Sequence, residues 1–169
     1  IRDDFKSSGL LPFFNGNYYQ EFLFIEGIDM GDNNSLTFNI ESSKKELEPK
    51  KDFIAAPFSG KASVKGELVF LGYGISAPKL EYDDYDGIDV NGKIVVVMRY
   101  SPEYDNPHSK FDEFASFRFK ATVARDKGAL GIIFVNGYAP KDDEDNLMKF
   151  SYDRGASIKD FPAVHVKRE

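Results

Sequence analysis

The chain has 169 residues, room for one ordinary domain plus an appendage, and 41% hydrophobic residues give it the means to build a core. A net charge of −6 and a pI near 5.0 argue against nucleic acid or an anionic membrane as a partner, because both require a basic patch. The lack of cysteine removes disulfides, thiolate zinc sites and cysteine nucleophiles, and no run reaches the ~18 apolar residues of a membrane span.

In chain order, Ile1 and Phe5 share one helical face, and Gly9 followed by Leu10 supplies a left-handed helix stop. Tyr18 to Ile25 is aromatic and β-branched, so it reads as a strand. Gly31-Asp32-Asn33-Asn34 is turn chemistry, and Leu36, Phe38 and Ile40 alternate with Thr37, Asn39 and Glu41. These features predict a hairpin with arms 18–29 and 35–41. Residues 42–52 are charged, carry a proline and are expected to form a linker.

Ala62, Val64, Gly66, Leu68 and Phe70 then alternate with outward positions until Gly72 and Gly74 break the strand. Gly74 to Gly92 is rich in Pro, Asp, Tyr and Gly, which predicts a long ordered loop. Ile94 to Met98 is continuously apolar, as expected of a strand buried on both faces. After a loop from Tyr100 to Lys110, Phe114, Phe117, Ala121 and Ala124 fall on one stripe of a helix over 112–127, and Gly128 stops it. Ala129 to Val135 is a second apolar strand and Phe161 to Val166 a short closing one. Strand, loop, helix, glycine, strand makes a βαβ crossover, so strands 93–98 and 129–135 are expected to lie parallel and buried. Ile94, Val96, Ile133 and Val135 are expected to be nearly fully buried, with Phe117 beneath them.

A buried βαβ unit raises a nucleotide site as a possibility, yet the connection after the first strand carries no glycine and has Glu103 and Asp105, which repel phosphate. The only histidines are His108, in a polar proline-flanked loop, and His165, on the closing strand opposite Val164 and Val166 and expected to be half-buried and hydrogen-bonded. Asp83-Asp84 and the run Asp142 to Asp145 read as solvated loop faces; the second lacks the glycine and terminal glutamate of a calcium loop. No Gly-x-Ser-x-Gly elbow occurs. No catalytic, cofactor-binding or metal-binding residue is therefore assigned. Tyr73, Tyr82, Tyr85, Tyr100 and Tyr104 remain as candidate substrate- or partner-facing loop residues. They serve either as a recognition surface or as a cover for the core edge with hydroxyls in water.

The succession Leu68 to Ile75 with Gly72-Tyr73-Gly74-Ile75, then Tyr82-Asp83-Asp84-Tyr85, Gly92-Lys93-Ile94-Val95-Val96-Val97, Lys120-Ala121 through Gly128-Ala129, Gly131 to Val135 and Phe161-Pro162-Ala163-Val164 resembles a protease-associated domain over roughly 60–166. The version with Tyr-Asp-Asp-Tyr is most similar to the copy inserted in two-zinc aminopeptidases of the glutamate carboxypeptidase and transferrin receptor type, peptidase clan MH. The segment from Ile1 through Phe22 resembles the part that precedes the insert there.

The resemblance implies a mixed α/β fold of the swivelling β/β/α kind, a compact barrel-like sheet with flanking helices, which agrees with the βαβ crossover read above and stands beside the N-terminal helix and hairpin. It implies residues 1–52 as a truncated part of the peptidase fold with a linker, and 53–169 as the protease-associated domain. The implied role is non-catalytic: covering the active-site cleft and gating peptide substrates, with two zinc ions on a catalytic domain of the same parent chain and none on this segment. The family's zinc residues begin with His-x-Asp, which neither His108-Ser109-Lys110 nor His165-Val166-Lys167 matches. An exported parent is implied by the family alone. The alternative is a free-standing peptide or protein interaction module.

Overall fold

The computed structural model describes residues 1–24, 28–137, 145–151, 153 and 155–168. Its centre is a five-stranded mixed sheet of β3 (Phe53–Ala55), β4 (Leu68–Phe70), β7 (Ile94–Met98), β8 (Gly131–Val135) and β9 (Ala163–Val166), in the order β3-β9-β8-β7-β4. β4, β7, β8 and β9 run parallel, and β3 joins β9 antiparallel. The helix α2 (Phe117–Asp126) connects β7 to β8, so the crossover expected from the sequence is present. The fold is mixed α/β, as expected.

α2 begins at Ser116, whose hydroxyl accepts the Phe119 N–H, later than residue 112; Asp112–Phe114 form a separate 3-10 turn. It ends where Gly128, at φ +89°, donates to Arg125 O while Ala129 donates to Ala124 O, a Schellman closure that only an unhindered left-handed residue makes cheaply. Ala121 and Ala124 lie flat on Val95, Val97, Ile132 and Phe134, forming the main core. The helix α1 (Arg2–Ser7) ends with the same device, Gly9 donating to Lys6 O and Leu10 to Phe5 O, and none of its residues is buried.

The second face of the sheet departs from expectation. β1 (Leu36–Ile40) pairs not with residues 18–29 but with β2 (Ser43–Leu47), inside the stretch expected to be a linker. The two-residue turn Glu41-Ser42, with Glu41 at φ +51°, closes this hairpin locally. Residues 18–24 form no strand, and 25–27 lie outside the described residues. Leu36, Phe38 and Leu47 settle on Phe53, Ile133 and Val166 and cover that part of the sheet. Of the four residues expected to be nearly fully buried, only Ile133 is; Ile94, Val96 and Val135 are half-buried because the hairpin covers the face incompletely. Phe117 packs on the opposite face, edge-on to Phe134 at 4.5 Å, and is itself half-buried.

β4 is also inverted relative to the alternation read from the sequence. Val69 and Leu71 face the α2 core, while Leu68 and Phe70 are exposed. The register Val69↔Val95 fixes this parity, because Val95 already faces α2. The loop from Gly74 to Gly92 contains a small ladder, β5 (Ser76–Ala77) with β6 (Tyr82–Asp83), around a 3-10 turn at Pro78–Leu80.

Candidate functional site

The chain leaves β4 through Leu71-Gly72-Tyr73-Gly74 and leaves β7 through Arg99-Tyr100-Ser101, so two tyrosine-bearing connections emerge at the same end of neighbouring parallel strands. Such strand ends are where α/β sheets place their binding loops. Met98 N–H donates to Gly72 O at 2.7 Å and ties the two exits together. Gly74 has φ +66°, and a Cβ there would stand 2.4 Å from Val97 Cγ1, so this approach requires glycine.

Asp84 organises the loop above. Its Oδ2 accepts the Ile75 N–H at 2.9 Å, and its Oδ1 accepts the Tyr82 hydroxyl at 2.8 Å. Asp83 accepts the Tyr85 N–H and approaches Lys127 Nζ at 3.8 Å. Both carboxylates thus hold the loop together, in contrast to the solvated role expected of them. Tyr82 also stands edge-on to Phe111, with centroids 5.1 Å apart.

Lys120 is the feature that sequence reasoning missed. It lies on the apolar stripe of α2 and is 0% exposed. Its Nζ donates to Met98 O at 2.9 Å and to Tyr100 O, and stands 5.7 Å from the centre of the Tyr73 ring. Tyr100 has φ +69°, uncommon for a residue with a side chain, and Lys120 grips its carbonyl. Burial pulls the lysine down to about 7, opposed by the charge of Asp84. The sequence signals were its position, since residue 120 falls between 117 and 121 on the buried stripe, and its place in the Lys120-Ala121 stretch of the family resemblance.

Tyr100 and Tyr104 lie 6.2 Å apart, with the Arg99 guanidinium 4.8 Å above the Tyr100 ring. Burial raises the Tyr73 phenol, with the neighbouring Tyr104 and Asp84 adding to the shift. Burial likewise raises Tyr82, followed by its hydrogen bond to Asp84. Both hydroxyls therefore remain protonated at neutral pH. Tyr73, Tyr82, Tyr100 and Tyr104 are brought together; Tyr85 is not. Tyr85 sits in the main core with Lys127 Nζ 4.8 Å over its ring, and its hydroxyl has no hydrogen-bond partner among the described residues.

His165 is fully buried rather than half-buried. Met148 N–H donates to Nδ1 at 2.8 Å, which leaves the proton on Nε2 to donate to Asn136 Oδ1 at 3.0 Å. Asn136 in turn donates to Asp145 and to Asn146 O, and Asp145 meets Arg168. Asp145 is thus structural; Asp142, Asp143 and Glu144 lie outside the described residues. Burial, then the charge of Arg99, lowers His165 to about 4. His108 is exposed. Among the described residues no three His, Asp or Glu side chains converge on a point that would suit a metal ion. Both ring nitrogens of His165 are engaged, so His165 itself offers no free nitrogen to a metal ion.

The PA domain family matches residues 64–169. Among solved structures, an aminopeptidase from Aneurinibacillus sp. strain AM-1 is similar at 24% identity and a TM-score of 0.50. That likeness covers 82% of this chain and 26% of the aminopeptidase, and it shows a shared fold. The coverage exceeds what residues 64–169 supply, so the likeness reaches upstream of them. A comparison with curated proteins returns no match.

Proposed function

The chain belongs to the PA domain family, and we propose that it is the non-catalytic domain of a zinc aminopeptidase, covering the active-site cleft and gating peptide substrates. The observation that carries this reading is the cluster of Tyr73, Tyr82, Tyr100 and Tyr104 at one end of the sheet, fixed from below by Lys120 and Asp84. Rings held this firmly wall a cleft and present hydroxyl donors at little entropic cost. In this reading the zinc ions and the groups that cleave the peptide belong to a catalytic body beyond residues 1–169, and the parent is exported. Residues 1–52 would belong with that body and 53–169 with the covering domain.

A free-standing interaction module is the weaker reading. Leu11, Phe13, Phe22, Leu23 and Phe24 are all largely exposed, which suits a segment that packs against a further body. The test uses the parent enzyme. Changing Tyr73 and Tyr104 together to alanine should raise KM for a tetrapeptide by about tenfold and leave kcat for an aminoacyl-nitroanilide nearly unchanged. Equal losses on both substrates would contradict a covering role.

A further inference from the structure

Asn-Gly occurs three times in the chain, at Asn15-Gly16, Asn91-Gly92 and Asn136-Gly137. In this dipeptide a backbone nitrogen readily attacks the side-chain amide before it, because glycine has no side chain to hinder the approach. The fold gives the three copies different surroundings. Asn136 is 3% exposed and its amide is fully engaged. Its Nδ2 donates to Asp145 Oδ1 at 2.8 Å and to Asn146 O at 3.0 Å, and its Oδ1 accepts from His165 Nε2 at 3.0 Å. Asn91 is exposed, but the nitrogen beside it is held: the Gly92 N–H donates to Gly128 O at 3.0 Å. Asn91 Oδ1 also lies against Gly128, 2.6 Å from where a Cβ there would stand.

Asn15-Gly16 has neither restraint. Both residues are exposed, with φ +49° and +79°, and the Phe14 and Asn17 backbones bond reciprocally across them at 3.0 and 2.8 Å. This is a type I′ turn, the setting that Asn-Gly favours. The bonds that close it belong to the flanking residues alone. No described residue accepts the Gly16 N–H or bonds to the Asn15 amide, and nothing stands within 4 Å of where a Gly16 Cβ would be.

We infer that Asn15 is a site of spontaneous deamidation, and that its isoaspartyl product opens the turn and frees Tyr18 from α1. The Gly16 nitrogen attacks Asn15 Cγ; the N–Cγ bond forms, the Cγ–Nδ2 bond breaks, and Nδ2 leaves as ammonia with the proton from the Gly16 nitrogen. Water then opens the cyclic imide at either carbonyl. Opening at Cγ gives aspartate; opening at the main-chain carbonyl carbon gives isoaspartate, whose main chain runs through Cγ. Water is consumed, ammonia is released, and no oxidant or reductant is needed. The isoaspartyl form adds a methylene to the main chain inside the turn, so the Phe14–Asn17 pair loses its register. That turn is what returns Tyr18 to α1, where its hydroxyl donates to Leu10 O at 2.6 Å and its ring lies 6.4 Å from Phe5. The aspartyl form keeps the turn, because aspartate shares the tolerance of asparagine for the left-handed region. Either product sets a carboxylate next in sequence to the paired rings of Phe13 and Phe14. The inference is independent of the covering-domain reading.

The test incubates the intact 169-residue chain in mildly alkaline buffer, with a parallel sample in denaturant, and follows the amide-to-acid mass gain at each asparagine by peptide mapping. In the folded chain Asn15 should react at least about tenfold faster than Asn91, and Asn136 should be slowest, because both need local opening first. In denaturant the three rates should converge. No mass gain at Asn15, equal rates in the folded chain, or a faster reaction at Asn91 or Asn136 would overturn the assignment. The same ranking in denaturant would overturn it too, because sequence and not the fold would then set the rates. The isoaspartyl form, separated from the aspartyl one, should exchange its Phe14 and Asn17 amides about tenfold faster than the unmodified chain, with Val95 unchanged. Asn15→Asp should exchange like the unmodified chain. Unchanged exchange in the isoaspartyl form would overturn the opening of the turn. Equally fast exchange in Asn15→Asp would overturn it as well, by assigning the effect to charge.

Discussion

Replacing Phe134 with alanine is expected to destabilise the fold by roughly 3–5 kcal/mol. Phe134 is 0% exposed at the centre of β8, packed with Val95, Val97, Ala121 and Ala124 and met edge-on by Phe117. Removing the ring opens a cavity lined by two alanines, β-branched side chains and the edge of Phe117, and only Phe117 can shift to fill part of the gap. Phe117→Ala should cost clearly less, because half of that ring already meets solvent. Denaturant titration of both variants checks the order. A loss below about 1 kcal/mol for Phe134→Ala would mean that α2 does not close on β8 as described.

Acid should weaken the fold through His165. The residue is neutral and fully buried at about 4, below its ordinary value of 6.5, so on acidification the unfolded chain takes up the proton first. Its contribution is fully present above pH 6.5 and is lost as pH falls towards 4, amounting to about 3 kcal/mol across that window. Carboxylates titrate in the lower part of the same window, so the comparison is with His165→Gln measured in parallel. The variant is expected to be less stable at neutral pH and to show a shallower decline between pH 6.5 and 5. Parallel stability curves for the two proteins would contradict the burial of a neutral imidazole.

The βαβ unit was legible because its signals agree at every level: two apolar runs of strand length, a helical stripe at 117, 121 and 124, and a glycine at 128. The tyrosine cluster was legible in part, since all five tyrosines sit on the connections after β4 and β7 and four of them gather at one sheet end. Tyr85 was not separable from them by sequence; the Asp83–Tyr85 turn alone directs it inward.

The parity of β4 was illegible for a definite reason. Leu68, Val69, Phe70 and Leu71 are apolar at both parities, so only the register with β7 decides which pair faces the core. The hairpin partner was missed because Ser43–Leu47 is mostly charged and exposed, and a two-residue turn outweighed the stronger β propensity of residues 18–24. Lys120 was missed because lysine is ordinarily a surface residue, and two backbone carbonyls took the place of a charged partner.

On the proposed function, this chain covers a catalytic centre without supplying it. The most direct test assays residues 1–169 alone on aminoacyl-nitroanilides, with metal content measured on the same sample. The account predicts no hydrolysis and no stoichiometric zinc, because the described residues contain no convergent ligand set and His165 is fully engaged by Met148 and Asn136. Hydrolysis that a chelator abolishes and added zinc restores would contradict it.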